Sequence, residues 1–194
     1  MNYKEKTKYA IVVLALFLFS CKQPIKDVLI DNPSNEALEL RINDNRTVEV
    51  PANGKFPIPL KFGKVSISVN NGEKIEMNLD KDKEYLLNPS LSQYYIHHIP
   101  YALSGSKYAS DYGQVKSKIG NIEVQGDFTK LEPSILMEKT WLFDLDTEPS
   151  ASVGIKINPK RGYKIYKKIV RERDILNQIS QNFVEELGIK IKEE

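Results

Sequence analysis

Cysteine is nearly absent from this chain: Cys21 is the single one among 194 residues, so no disulfide can form within it. Histidine is scarce as well, with only His97 and His98. Neighbouring residues of a strand point to opposite faces, so these two imidazoles do not readily converge on one metal. There is no G-x-S-x-G peptide, no phosphate-binding loop and no cysteine in a nucleophile's setting. The expectation is therefore a chain without catalytic residues, cofactor or metal. A long apolar run is missing too: the longest, Ala10 to Phe19, covers about 10 residues, half of the roughly 20 that a membrane-spanning helix needs.

What stands at the N-terminus is informative. Lys4, Lys6 and Lys8 precede the apolar run, and Ser20-Cys21 follow it, the layout of a secretory signal. The peptide Leu18-Phe19-Ser20-Cys21 resembles the lipobox of bacterial lipoproteins, with a leucine three positions before the cysteine and a small residue directly before it. The resemblance implies cleavage in front of Cys21 and acylation of its thiol, hence membrane attachment through that residue. One acyl chain anchors only marginally and two or three anchor stably, each buried methylene contributing about 0.8 kcal/mol. Acylation would also remove a lone reactive thiol from an exported protein. Lys22 after the cysteine resembles the sorting pattern for the outer membrane of a cell envelope.

Net charge of either sign is lacking once the signal is set aside. Three of 28 basic and one of 26 acidic residues precede Cys21, leaving 25 of each in 21–194. That balance gives no ground for nucleic acid as a partner.

Residues 21–26 read as a short lipidated tether. From 27 to 90 the apolar residues alternate: Leu38, Leu40, Ile42; Phe56, Ile58, Leu60, Phe62; Val65, Ile67, Val69; Ile75, Met77, Leu79. Turn residues Asp44-Asn45, Asn53-Gly54 and Asn70-Asn71-Gly72 punctuate them. Short alternating runs at this spacing predict a mainly β protein, an antiparallel sandwich. Pro57 and Pro59 confine their strand to an edge. The rhythm of this stretch resembles the immunoglobulin-like and PEGA-type β-domains of bacterial envelope proteins, which implies a structural or adhesive module. Asn-Pro-Ser occurs at 32–34 and again at 88–90, both read as turns.

From 91 to 159 the sequence predicts a tyrosine-rich loop and further strands, at Ile122 to Phe128, Thr140 to Asp146 and Val153 to Ile157. Tyr94, Tyr95, Tyr101, Tyr108 and Tyr112 crowd a stretch that is also rich in Ser and Gly, the composition of many recognition surfaces. They are the candidate binding residues, with packing of the sandwich ends as the alternative.

From 160 to 194 an amphipathic C-terminal helix is expected, from about Arg161 to Leu187, on the spacing of Ile165, Ile169, Leu176, Ile179, Phe183 and Leu187. Its first turns carry Lys160, Arg161, Lys164, Lys167, Lys168, Arg171 and Arg173, a cluster that reads as a solvated face or as a contact for anionic lipid. Two acidic ladders, Asp80/Asp82/Glu84 and Asp144/Asp146/Glu148, read as solvated acids rather than a calcium loop, because Tyr85 and Pro149 occupy the position where an EF-hand needs glycine. Together these features predict a non-catalytic binding or assembly role with an envelope protein or glycan as partner. An exported enzyme acting on envelope polymers is the second reading, and it requires a cleft where His97 or His98 meets carboxylates.

Overall fold

A computed structural model describes residues 25–102, 112, 114–149 and 163–186. Cys21, Tyr108, the signal segment and the strand expected at Val153 to Ile157 lie outside the described residues. The protein is mainly β. Its first sheet has the order β12 (Leu136–Glu138), β7 (Tyr85–Leu87), β1 (Ile25–Asp31), β4 (Lys55–Lys61). The second runs β3 (Arg46–Val50), β2 (Leu38–Ile42), β5 (Gly63–Val69), β6 (Ile75–Leu79). All neighbours are antiparallel except β1 and β7.

The two sheets form the expected sandwich. Val28, Ile30, Ile58, Leu60 and Leu87 of the first face Leu40, Ile42, Val50, Val65 and Ile67 of the second, every one of them buried. Burying each such side chain contributes about 1.5–3 kcal/mol. The turns are made by residues that tolerate a left-handed backbone. Asn43 and Asp44 (φ 51° and 58°) join β2 to β3, and Asn70 and Asn71 (φ 49° and 57°) join β5 to β6. Asn43 and Asn70 also accept the backbone N–H groups of Ser66 and Glu39 across the sheet. Pro57 and Pro59 lie in β4, opposite Leu29 and Asp27, at the edge where the sequence confines them. Both have the same parity, so the missing N–H groups face away from β1, and the edge offers few donors to another strand.

A third sheet, β11 (Phe128–Lys130), β8 (Tyr94–Ala102), β13 (Tyr163–Arg171), covers the other face of the first. Leu29, Leu86 and Met137 of the first sheet meet Tyr94, Ile96 and Ile169 of the third, with Trp141 and Leu145 filling the gap. The outer face of the third sheet, through Tyr95, Phe128 and Val170, packs against the hairpin β9 (Lys116–Ile119) and β10 (Ile122–Gln125) and against the helix α1 (Glu172–Glu186). The order of layers is therefore sheet, sheet, sheet, then hairpin and helix.

Three expectations are corrected here. The C-terminal helix begins at Glu172, and most of its expected first half is strand β13. Ile165 and Ile169 sit four apart, a spacing that satisfies period 2 as well as 3.6, and nine-residue pairing with β8 decides for the strand. Lys164, Lys167, Lys168 and Arg171 of the basic cluster therefore lie on β13 and not on a helix; Glu172 and Asp174 occupy the first turn of α1, where carboxylates are favourable, with Arg173 between them. The tyrosine-rich stretch begins as the long strand β8 rather than a loop. Thr140 to Asp146 is not a strand, because Asp144 folds back to accept the Trp141 indole N–H at 2.9 Å and the Lys139 ammonium at 3.0 Å. Phe143 makes an isolated bridge to Lys168 of β13, and the Leu142 N–H donates to the Lys167 carbonyl.

A buried ionic knot ties the first sheet to the third. Asp31, the last residue of β1, receives two hydrogen bonds from the Arg171 guanidinium, both 2.7 Å, and one from the Tyr94 hydroxyl at 2.5 Å. Arg171 reaches outward to Asp174 at 2.9 Å. Beside the knot, Asn32 and Asn88, both fully buried, repeat one device in the two Asn-Pro-Ser turns. Each donates to the carbonyl four residues on (Glu36 and Ser92) and accepts from the serine hydroxyl two residues on (Ser34 and Ser90). The second turn holds Leu91 at φ 51°, a left-handed conformation that costs a branched side chain about 1–2 kcal/mol.

Burial and the adjacent carboxylate push the Tyr94 phenol far above its ordinary range, so it remains a donor. Replacing Tyr94 by Phe removes a hydrogen bond to a buried charge, worth about 1.5–3 kcal/mol. Chemical denaturation of Y94F should show a loss of that size with an unchanged slope; an unchanged midpoint would mean that the hydroxyl does not support Asp31.

Candidate functional site

The layer order leaves a groove along the outer face of the third sheet. Its floor is His97 and Ile99 of β8, Phe128 of β11, and Lys168 and Val170 of β13; its walls are α1, β10 and the segment Leu145 to Pro149. A second hollow, against Val124, Ile179 and Asn182, adjoins it and shares Gln125, Phe128, Ile175 and Gln178. The two measure about 710 and 360 Å³. The sequence produces this floor by alternation: Tyr95, His97, Ile99 and Tyr101 lie on the outer face of β8, while Tyr94, Ile96 and His98 lie on the inner.

His97 stacks on Phe128 with centroids 4.4 Å apart and planes 15° from parallel. Gly126 makes the stack possible. At φ 121°, it turns the chain between β10 and β11, and a side chain there would come within 2.7 Å of the Phe128 ring. The Ser117 hydroxyl locks the corner, donating to the Gly126 carbonyl and accepting the Phe128 N–H, both at 2.8 Å. Gly126 thus explains why the single strand expected from Ile122 to Phe128 is broken in two.

The charges around the groove are largely paired. Lys168 lies 3.6 Å from Glu148; Asp146 meets Lys55 and, at 3.4 Å, Arg171; Asp174 meets Arg171. Asp144, Asp146 and Glu148 therefore turn to different cations instead of to one centre. In the other acidic ladder Glu84 pairs with Lys139 at 3.1 Å, while Asp80 accepts the Asp82 N–H. Among the described residues no group of three His, Cys, Asp or Glu side chains is placed to hold a metal. Polar reach comes from the exposed amides Gln178 and Asn182 on α1, which have no hydrogen-bond partner among the described residues.

The described tyrosines do not gather into one surface. Tyr94 and Tyr95, expected as binding residues, are corrected to core residues on opposite faces of β8, 1% and 3% exposed. The Tyr95 hydroxyl donates to Glu172 at 3.2 Å, anchoring the start of α1. Tyr112 donates to the His98 carbonyl, and Tyr101 packs edge-on against Tyr166 at 5.3 Å. Of the described candidates, Tyr101 and Tyr112 keep partial exposure. Trp141 is core, 7% exposed, as its apolar setting implies. His98 faces away from the groove, its Nε2 3.0 Å from the Thr129 hydroxyl. Sequence reasoning missed Phe128, Gln125 and Gln178 and placed Lys168 in a basic helical cluster instead of on the groove floor; the alternation through His97 was the available signal.

Compared with protein-family models, curated proteins and solved structures, the chain matches none of them.

Burial, and then the neighbouring Lys168 ammonium, lowers the His97 affinity for a proton below the ordinary value of 6.5. The unfolded chain binds that proton more readily, so this residue's contribution to stability falls as pH drops from about 6.5 through the folded-state midpoint. An NMR titration in a His98→Gln background should place the His97 midpoint below 6.5, and Lys168→Gln should move it upward. A midpoint above 6.5 would contradict a desolvated, neutral imidazole on the groove floor.

Proposed function

We propose that this protein is an envelope lipoprotein, held to the outer membrane by acyl chains on Cys21, and that it serves as a non-catalytic binding or assembly component. Its working surface is the groove between the third sheet, the β9–β10 hairpin and α1. The observation that carries this reading is the make-up of that groove: an aromatic and aliphatic floor, His97 against Phe128 with Ile99 and Val170, walled by Ile175 of α1, under a rim of amides and already paired charges. Concave sites with apolar walls and a few polar groups are built for binding. Pairing the charges internally disfavours a strongly ionic ligand, which suits an envelope protein or glycan better than nucleic acid. The sandwich beneath it fits the adhesive or structural module that the resemblance to envelope β-domains implies.

One observation favours the second reading, an exported enzyme acting on envelope polymers: His97 shares its cavity with Asp146, Glu148 and Asp174. Its ring nevertheless stacks on Phe128, and no carboxylate among the described residues is hydrogen-bonded to it. A general base needs such a partner or a substrate proton within about 3 Å.

The test is purification of the full-length protein from its own membranes in mild detergent, with chemical cross-linking and mass spectrometry. The expected result is acylated Cys21 and a stoichiometric partner cross-linked to residues bordering the groove, with recovery of that partner reduced several-fold by the surface change Gln178→Arg. Acylated protein without any partner would sink the assembly role and leave glycan binding to be measured directly.

A further inference from the structure

We propose that the end of the molecule where β1 begins rests on the bilayer that holds Cys21, with Ile25, Leu142 and Ile165 entering its interfacial layer. The proposal rests on the lipid-anchor reading above and adds to it an orientation and a contact surface.

Chain length sets the first limit. Only residues 22–24 stand between Cys21 and Ile25, and an extended chain covers at most about 3.6 Å per residue, so the first residue of β1 stays within roughly 14 Å of the acylated cysteine. The headgroup region on each side of a bilayer is itself about 5–8 Å deep. Whatever lies beside Ile25 is therefore held close to lipid.

What lies there is apolar and exposed. Ile25 is 61% exposed, Leu142 54% and Ile165 38%. Leu142 borders a hollow with Asp82 and Lys83, and Lys26 donates to the Lys83 carbonyl at 2.7 Å, which places Leu142 beside the start of β1. Strand β13 runs alongside β1 in the facing layer: Arg171 meets Asp31, and Ile169 shares a cavity wall with Leu29 and Asp27. Counting back along both strands brings Ile165 toward the level of Ile25. Isolated exposed aliphatics are ordinary, but three at the end next to a lipid attachment point are not a scatter.

The surrounding side chains suit an interface. Tyr101 and Tyr166, half-buried and edge to face, lie next along the β8–β13 ribbon, with the Lys164 ammonium 4.9 Å from the Tyr166 ring. Amphipathic rings and lysines are the residues that settle at headgroup depth. Lys164 and Lys167 are exposed and have no carboxylate partner among the described residues, whereas Glu84 and Glu138 are taken by Lys139 and Lys83. Asp27 and Asp82 also lie at this end, so attraction to anionic lipid is weak and the apolar side chains dominate the contact.

The experiment uses the full-length acylated protein in vesicles of phosphatidylethanolamine and phosphatidylglycerol. The lipid occupies the Cys21 thiol, so Leu142→Cys, Ile165→Cys and, at the opposite end, Leu91→Cys each present one free thiol for an environment-sensitive fluorophore. Labels at 142 and 165 should shift to the blue and be quenched by a quencher carried on the lipid headgroup, while the label at 91 behaves as in water. Water-like emission at 142 and 165, with acylated Cys21 confirmed by mass, would overturn the contact and leave the anchor standing. A blue shift without lipid quenching would assign the surface to a contact with a second copy of the chain and also overturn it. An unacylated Cys21 would remove the anchor and the orientation together.

Discussion

A carboxylate cannot be left alone in an apolar interior, and Asp31 is 1% exposed between two sheets. Three donors solve that problem, and they come from far along the chain: Tyr94 from β8 and Arg171, 140 residues away, from β13. A bidentate guanidinium fits only one register and one distance, so the knot fixes where the third sheet sits on the first. It need not be the largest source of stability, since a well-packed apolar replacement of such a group is often neutral or better. Its importance is that breaking it from one side leaves an uncompensated buried charge, at a cost of about 3–5 kcal/mol.

The rest of the outer architecture hangs from this point. Arg171 is the last residue of β13, so the residue that satisfies Asp31 also sets where α1 starts; Arg173 then reaches back to the Pro33 carbonyl and the Asn53 side chain. With α1 placed, the groove over His97 and Phe128 has its wall, and Asp146 and Asp174 at its rim are the outer partners of Arg171. The sandwich of the first two sheets has its own apolar core and depends less on the knot. A stable module and a positioned groove are thus joined through one polar contact.

Much of the sandwich was legible in the sequence because its signals are local. The alternation of Leu38, Leu40 and Ile42, the Asn turns and the prolines of β4 are each decided within a few residues. The later half was harder for physical reasons. Ile165 and Ile169 fit helix and strand periods alike, and only pairing with β8 decides between them. The tyrosines have the composition of a recognition loop, but alternation along β8 sends Tyr94 and Tyr95 into two different cores. Trp141, Leu142 and Phe143 look like a strand until Asp144 captures the indole. The groove unites residues from β8, β10, β11, β13, α1 and the segment Leu145 to Pro149; His97, Lys168, Asp146 and Glu148 stand out in the sequence for separate reasons, and nothing local brings them together. The partnership of Asp31 with Arg171 leaves no mark on the local sequence at all.

The central claim is that the buried knot holds the third sheet and helix on an otherwise self-sufficient sandwich. Hydrogen exchange measured by mass spectrometry on Arg171→Leu tests it most directly. The account predicts that protection is lost chiefly in β8, β11, β13 and α1, while β2, β3, β5 and β6 keep most of theirs. Equal loss in all three sheets, or no change anywhere, would contradict it.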